Sequence, residues 1–233
     1  MRKLFIALWG IVVTLSGCET LQDTGSSVAY HRSFIAAYYD YGNIDIEVRD
    51  FWESAEITYD RIFVYPNVLN IYSQDSKEEE LKSKYEEFAT LNNDVNFNRE
   101  MSVIGNHSYA NITSTENISS IDLICLEDID LEHPSGTSVE DLFMIYSTTP
   151  YYYIQSAYTE EYQYKGIYKL LNDISAEDMY LMGSGFYSRL ILFQLYPSDG
   201  INCPAFGKKL RLTLNYENQY PISKEFVFAK GEY

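Results

Sequence analysis

The stretch LRLTLNY, residues 210–216, alternates strictly between apolar and polar side chains. On an extended chain its leucines and closing tyrosine fall on one face, and its arginine, threonine and asparagine fall on the other. A turn-like segment follows at residues 217–219, and then a second stretch in which Phe226 and Phe228 share a face. This pattern predicts a closing β-hairpin whose phenylalanines point into the core.

Similar alternation recurs along most of the chain. Ile121, Leu123 and Cys125 fall on one face opposite Asp122, and residues 189–196 are apolar on both faces, as in a central strand. Further candidate strands cover residues 34–39, 44–49, 57–72 (one strand, or two around Pro66), 101–112 and 151–158. With no internal repeat and no Pro/Gly-rich linker, these short strands predict one all-β domain. We expect an antiparallel β-sandwich of the immunoglobulin-like or a related type.

Three segments carry helical signals. Residues 77–91 are rich in Glu and Lys, with Leu81, Tyr85 and Phe88 at helical spacing. Thr137 and Glu140 have the spacing of a capping box, and residues 160–172 are a third candidate. The sequence therefore predicts a few short helices confined to connections between strands.

The N-terminus has the features of an export signal. Arg2 and Lys3 precede a twelve-residue apolar run, residues 4–15, which is too short to span about 30 Å of hydrocarbon. The run ends in Leu15-Ser16-Gly17-Cys18, which resembles the lipobox of bacterial lipoproteins. In that family the signal is removed before the cysteine, and the cysteine is acylated.

The lipobox resemblance implies three segments along the chain. They are a signal peptide at residues 1–17 and a tether at residues 18–27 carrying a covalent lipid on Cys18, followed by the β-sandwich domain at residues 28–233 that the strand pattern predicts. Glu19 stands where many lipoproteins of the inner membrane have aspartate, so the resemblance favours the outer membrane. Whether the protein faces the cell surface or the periplasm stays open.

A second resemblance covers residues 118–143, ISSIDLICLEDIDLEHPSGTSVEDLF. The segment is similar to a stretch in a family of Bacteroides lipoproteins that carry a domain of unknown function. The matching positions are Asp128, Asp130, His133, Pro134, Gly136 and Phe143. The resemblance implies an envelope location and a β fold, and it supplies no catalytic residue.

The net charge excludes one class of partner. The chain has 34 acidic and 17 basic residues and a formal net charge of −17, so we expect no nucleic-acid partner.

Cys125 falls on an apolar strand face, where a free thiol packs as a small hydrophobe. We therefore expect Cys125 and Cys203 to be free, although an envelope protein could also bridge them.

Acidic residues crowd one short segment. Asp128, Asp130 and Glu132 are hard oxygen ligands of the kind that hold Ca²⁺. An EF-hand loop starting at Asp128 would need Gly at its sixth position and Glu at its twelfth, where this chain has His133 and Val139. We therefore favour a solvated turn and expect no metal or other cofactor.

Tyrosine is the unusual component: the chain has 23 Tyr against 12 Phe, and eight of these tyrosines lie between residues 146 and 168. A tyrosine ring has an apolar face and a hydrogen-bonding tip, which suits sugars and protein interfaces. We predict that Tyr152, Tyr158 and Tyr162 contact a ligand, with Gln155 as a hydrogen-bonding neighbour. The alternative is that these rings fill half-buried strand positions.

The sequence contains none of the common hydrolase or phosphate-loop motifs. We therefore predict a non-enzymatic binding or accessory module for a glycan, a peptide or a partner subunit. The alternative is a surface hydrolase acting on glycans or peptides, whose catalytic groups meet only on folding.

The lipobox gives a direct prediction. We expect Cys18→Ala to release the protein from the membrane fraction or to leave its signal uncleaved, because acyl chains on this cysteine would supply the anchor. Fractionation combined with intact mass measurement tests this. A processed Cys18→Ala chain that still fractionates with membranes would show that the anchor lies elsewhere.

Overall fold

A computed structural model of the chain describes residues 27–54, 57–103, 112–183 and 190–229. Within these ranges the fold is mainly β, with a few short helices. The strands are β1 (Ser27–His31), β2 (Ala37–Ser54), β3 (Ile57–Ser73), β4 (Arg99–Val103), β5 (Ile112–Ser114), β6 (Ile118–Cys125), β7 (Phe143–Thr149), β8 (Lys165–Leu170), β9 (Phe193–Pro197), β10 (Lys209–Tyr216) and β11 (Ile222–Val227). The α-helices are α1 (Glu79–Leu91), α2 (Tyr151–Gln155) and α3 (Ala176–Met179).

The strands form two main sheets and one small one. A six-stranded sheet has the order β5-β2-β3-β9-β7-β8, a three-stranded sheet has the order β11-β10-β6, and β1 pairs with β4. The parallel pairing of β2 with β5 is the exception among otherwise antiparallel described pairs. The two main sheets pack face to face over one hydrophobic core, in which Ile62 and Leu195 meet Leu123 and Leu212. The predicted all-β sandwich is therefore confirmed.

The predicted closing hairpin is also confirmed. Leu210, Leu212 and Leu214 are fully buried, and β10 pairs with β11 so that Leu210 lies opposite Phe226. Phe226 packs against the core and is partly buried. Phe228 is fully buried and meets the ring of Phe143 edge-to-face, with centroids 5.3 Å apart.

A second hydrophobic cluster involves the opposite face of β2. Tyr38 points away from the sandwich core and packs with the α1 residues Tyr85 and Ala89. Tyr153 and Ile154 of α2 belong to the same cluster. The helix predicted over residues 77–91 is thus confirmed as α1, and it covers one face of the six-stranded sheet.

Several predicted strands have different bounds. Residues 34–39 and 44–49 contribute to one long strand, β2, and β3 continues through Pro66. The candidate at residues 101–112 contains the end of β4 and the start of β5, with residues 104–111 outside the described ranges. The strand predicted at residues 189–196 begins at Phe193, and residues 184–189 are likewise outside.

Two predicted element types are wrong. Residues 151–158 do not form a strand: they begin with α2, because Ile154 N donates to Pro150 O and Tyr151 N donates to Thr149 Oγ1. Residues 160–172 do not form a helix, since β8 pairs with β7 and places Tyr168 opposite Tyr146. Long-range pairing has here overridden the helical preference of a Glu- and Lys-containing segment.

The predicted capping box is wrong as well. Thr137 Oγ1 donates to Pro134 O at 2.8 Å, and Glu140 Oε1 accepts a hydrogen bond from Leu123 N. The residues after Val139 form a single 3-10 turn, Glu140–Leu142, without a side-chain cap. Both side chains therefore serve the loop after β6 instead of starting an α-helix.

Cys125 and Cys203 are both buried free thiols, as predicted. The predicted signal peptide and most of the predicted tether, including Cys18, lie outside the described residues. Among the described helices, none is long and apolar enough to cross a membrane.

The burial of Phe228 predicts a large stability cost for its removal. We expect Phe228→Ala to lower the free energy of unfolding by about 3–5 kcal/mol, through lost apolar burial and the cavity left against Phe143. Urea denaturation measures this. The control is Val227→Ala, because Val227 is 51% exposed, and we expect a change of about 0.5 kcal/mol or less. Equal effects of the two substitutions would contradict the observed register.

Candidate ligand-binding cleft

A cleft of about 480 Å³ opens at the start of β8. We call it the aromatic cleft. Its lining residues are Tyr152, Glu160, Tyr162, Tyr164, Lys165 and Gly166.

The turn from β7 into α2 and the return through β8 build this cleft. Thr149 at the end of β7 lies opposite Lys165 at the start of β8, so the loop between them must fold back beside α2. Tyr153 and Ile154 are buried, which leaves Tyr152 on a more accessible side of α2. The loop then contributes Glu160, Tyr162 and Tyr164, and β8 contributes Lys165 and Gly166.

The lining of the aromatic cleft combines apolar tyrosine rings, phenol hydroxyl groups and side chains of both charges. The ammonium of Lys165 lies 3.9 Å from the centroid of the Tyr152 ring, within cation–π range. Tyr162 is 72% exposed. Burial raises the pKa of Tyr164 well above its ordinary value, so its phenol remains protonated at neutral pH. Such a lining can pack against an apolar ligand face and exchange hydrogen bonds with hydroxyl groups.

Two of the three predicted contact tyrosines meet in the aromatic cleft, and the third does not. Tyr158 is only 6% exposed, and its hydroxyl donates to Asp94 Oδ1 at 2.8 Å. Its ring packs edge-to-face against Phe97 and Tyr153. The prediction that Tyr158 is an exposed contact is therefore wrong, because residues 151–155 are helical and the chain turns Tyr158 into the second cluster.

Gln155 is exposed but is not among the described lining residues of the aromatic cleft. Its side-chain amide donates to Asn92 O at 3.3 Å. Gln155 therefore connects the end of α2 to the segment after α1.

Asp94 is a fully buried carboxylate beneath this region. It accepts hydrogen bonds from the backbone N–H groups of Phe34 and Ile35, each at 2.7 Å, in addition to that from Tyr158. Burial raises the pKa of Asp94 to about 6, although the three hydrogen bonds act in the opposite direction. Asp94 thus joins the segment just before β2 to the loop that carries the cleft residues.

The acidic candidates for Ca²⁺ lie in the loop after β6. Asp128 accepts a hydrogen bond from Ser135 N, and Asp130 accepts from the backbone N–H groups of Glu132 and His133. Glu132 itself is exposed. In the part of the chain that the structure describes, no group of His, Cys, Asp and Glu side chains has the arrangement of a metal site. Asp128 and Asp130 therefore hold the turn.

The two described histidines are each held by neighbouring polar groups. His133 lies between Asp130 (Nδ1–Oδ1 2.9 Å) and Asp141 (Nε2–Oδ2 3.2 Å). Burial lowers the pKa of His133, but the two aspartates more than offset this and raise it above the ordinary value. His31 is buried, with its Nδ1 2.8 Å from the side-chain nitrogen of Gln74. His107 lies outside the described residues.

Sequence reasoning missed the contributions of Lys165, Glu160 and Tyr164 to the aromatic cleft. The helix wrongly predicted over residues 160–172 did not bring these three residues together beside Tyr152. A signal was present, because Gly166 disfavours a helix interior and is followed by Ile167 and Tyr168, a β-branched and an aromatic residue of the kinds enriched in strands.

No protein-family model, curated protein or solved structure matches this chain. The resemblance to Bacteroides lipoproteins therefore stays a prediction, and function is inferred from the geometry of the chain itself.

Asp94 gives a prediction about pH. Its pKa of about 6 in the folded state lies above the ordinary value of 3.8, so its contribution to stability is fully present below pH ~4 and is lost as the pH rises through ~6. We expect the free energy of unfolding of the wild type, relative to that of Asp94→Asn, to fall by up to about 3 kcal/mol between pH 4 and pH 7.

Urea denaturation across this pH range measures the difference. Asp173→Asn is the matched control, because Asp173 is exposed, and we expect this variant to retain the fall in stability between pH 4 and pH 7. A wild-type minus Asp94→Asn difference that is constant with pH would contradict the raised pKa.

Proposed function

We propose that this protein is a lipid-anchored envelope protein, attached through Cys18, that binds a glycan in the aromatic cleft. One observation carries the proposal: Tyr152 and Tyr162 line the same cleft, together with Lys165 and Glu160. The lipobox at residues 15–18 supports the anchor, and Glu19 directly after it favours the outer membrane.

Tyr162 and Tyr152 have different parts in this proposal. Tyr162 is largely exposed and offers a ring face on which the C–H face of a sugar can stack. The Lys165 ammonium lies against the Tyr152 ring, so it holds that ring in place while retaining N–H groups that can donate to sugar hydroxyls. Glu160 is an acceptor at the same cleft.

The size and chemistry of the aromatic cleft favour a small polar ligand. Its volume of about 480 Å³ lies within the range of about 300–1,000 Å³ that is usual for small-ligand sites. Tyrosine supplies both stacking surface and hydrogen bonds at low entropic cost. A glycan uses both of these properties at once.

The lining supports binding more than hydrolysis. Glycosidases generally use two carboxyl groups about 5–9 Å apart. Among the described residues that line the aromatic cleft, Glu160 is the single carboxylate. We therefore propose a binding module and treat hydrolysis of the bound glycan as the competing result in the experiment below.

A glycan-array screen tests the proposal, using the soluble chain that begins at Glu19. We expect Tyr162→Ala to weaken binding of an identified glycan about 2- to 10-fold, since one aromatic contact contributes about 0.5–1.5 kcal/mol. Titration calorimetry with the array hit gives the affinity, and chromatography of the recovered glycan shows whether it was cleaved.

Tyr220→Ala is the matched control, because Tyr220 is 93% exposed and is not among the cleft residues. We expect it to bind as the wild type does. An array without hits, or an unchanged affinity in Tyr162→Ala, would refute glycan binding at the aromatic cleft. Cleavage of the glycan would favour the hydrolase.

A further inference from the structure

Two exposed tyrosines lie next to the aromatic cleft on the outer face of the six-stranded sheet. Tyr146 of β7 is 39% exposed and Tyr168 of β8 is 63% exposed. They are direct partners in the register of β7 and β8. Because the alternate residues Ile145 and Ile167 belong to the sandwich core, both tyrosines point away from that core.

A buried tyrosine ring beneath these two rings fixes their orientation. Tyr196 of β9 meets Tyr146 edge-to-face at 6.2 Å and Tyr168 at 6.0 Å, with interplanar angles of 78° and 89°. Tyr196 itself is only 7% exposed, and the buried guanidinium of Arg61 lies 4.0 Å from its ring centroid. Rings held in this way lose little freedom when a ligand binds.

The aromatic cleft and this outer face meet at Gly166. Gly166 lines the cleft, and it lies two residues before Tyr168 on the same face of β8. The Cβ position of Gly166 has no neighbouring atom within 4 Å, so the strand surface between cleft and ring is open. At about 3.3 Å per residue, Gly166 and Tyr168 are about 7 Å apart along the strand.

We infer that the aromatic cleft and the outer tyrosines form one extended binding track, so that the ligand is an oligosaccharide. One sugar unit occupies the cleft, the chain passes over Gly166, and a further unit packs against Tyr168 and Tyr146. This inference rests on the proposed glycan-binding function and adds a second subsite and a minimum ligand length.

The chemistry of the outer face favours a sugar over a protein partner. The exposed parts of Tyr146 and Tyr168 amount to on the order of 200 Å² in total, at about 150–250 Å² for a whole tyrosine. A stable protein interface needs about 800 Å² from each partner. Across the sheet, the two rings border uncharged polar residues, Thr148 opposite Gly166 and Gln194 opposite Tyr146. Beside them, the guanidinium of Arg61 is buried and donates hydrogen bonds to Gln194 Oε1 and to the Tyr196 hydroxyl. The surface next to the two rings therefore offers amide and hydroxyl groups, which suit a chain of hydroxyl groups.

Ligand length gives the test. The full-length protein in detergent is titrated against glucose-, mannose- and galactose-based oligosaccharides, neutral and uronate-containing, of one to six units. We expect the affinity of the wild type to increase as the oligosaccharide grows beyond one unit. Tyr168→Ala should weaken binding about 2- to 10-fold for the longer members only. Tyr162→Ala should weaken binding at every length, and Tyr220→Ala at none.

Companion variants separate recognition from folding. Tyr168→Phe keeps the ring and should retain most of the length-dependent affinity, and Tyr146→Ala tests the same subsite from the neighbouring strand. Thermal melting monitors the fold of each variant.

The possible failures are distinguishable. If the wild type binds glycans but folded Tyr168→Ala and Tyr146→Ala bind every length as the wild type does, the second subsite is refuted and the cleft stands. An equal loss at all lengths also refutes it, because Tyr168 would then act on the cleft itself. If the wild type binds no member of the series, both the proposed function and the extended track are refuted.

Discussion

The arrangement of this protein depends on the burial of β2 on both faces. Tyr39 faces the core between the two main sheets, while its neighbour Tyr38 faces the cluster beneath α1 and α2, and both rings are fully buried. Two adjacent large side chains on opposite faces can be buried only if each face of the strand is covered. The three-stranded sheet covers one face of β2, and a helical layer made of α1 and α2 covers the other. The aromatic cleft lies where the helical layer returns to the sheet through β8.

Many of the described tyrosines serve this packing. A buried phenol needs a partner for its hydroxyl, and the structure supplies several. Tyr41 and Tyr216 share a 2.6 Å hydrogen bond between residues of the two main sheets, and Tyr85 donates to Ile35 O at 2.7 Å. Burial raises the pKa of Tyr41 to about 12, so its proton stays in place at neutral pH. Tyr162 at the cleft and Tyr168 on the outer face are, like Tyr30 and Tyr220 elsewhere, exposed rings that packing does not explain.

The sequence predicted elements well where one face is buried and the other is solvated. Alternation in β10 and β6 identified both strands and their core faces, because a shift of one residue would expose every leucine. It failed at residues 151–158, where a strand-favouring run of tyrosines follows Pro150 and buries two consecutive residues, Tyr153 and Ile154, under the helical layer. It failed again at β8, whose extended form is defined by pairing with β7 across the intervening helix α2 and its loop. The cleft was predicted only through Tyr152 and Tyr162, because Lys165 joins it through that same pairing.

The misassigned tyrosine, Tyr158, explains how the cleft is held. Ala157 and Tyr158 have φ angles of 53° and 64°, in the left-handed region that costs a residue with a side chain about 1 kcal/mol or more. Buried contacts must offset that cost, and the hydrogen bond from Tyr158 to Asp94 is one of them. Ser156 Oγ then accepts from the backbone N–H groups of Thr159 and Glu160, each at 3.2 Å. The loop thus starts from the buried Tyr158 with its direction fixed by these hydrogen bonds, and it brings Glu160 and Tyr162 to the cleft. Tyr158 positions the site from beneath, and the ring and hydroxyl that would suit it to bind a ligand are used to hold the loop in place.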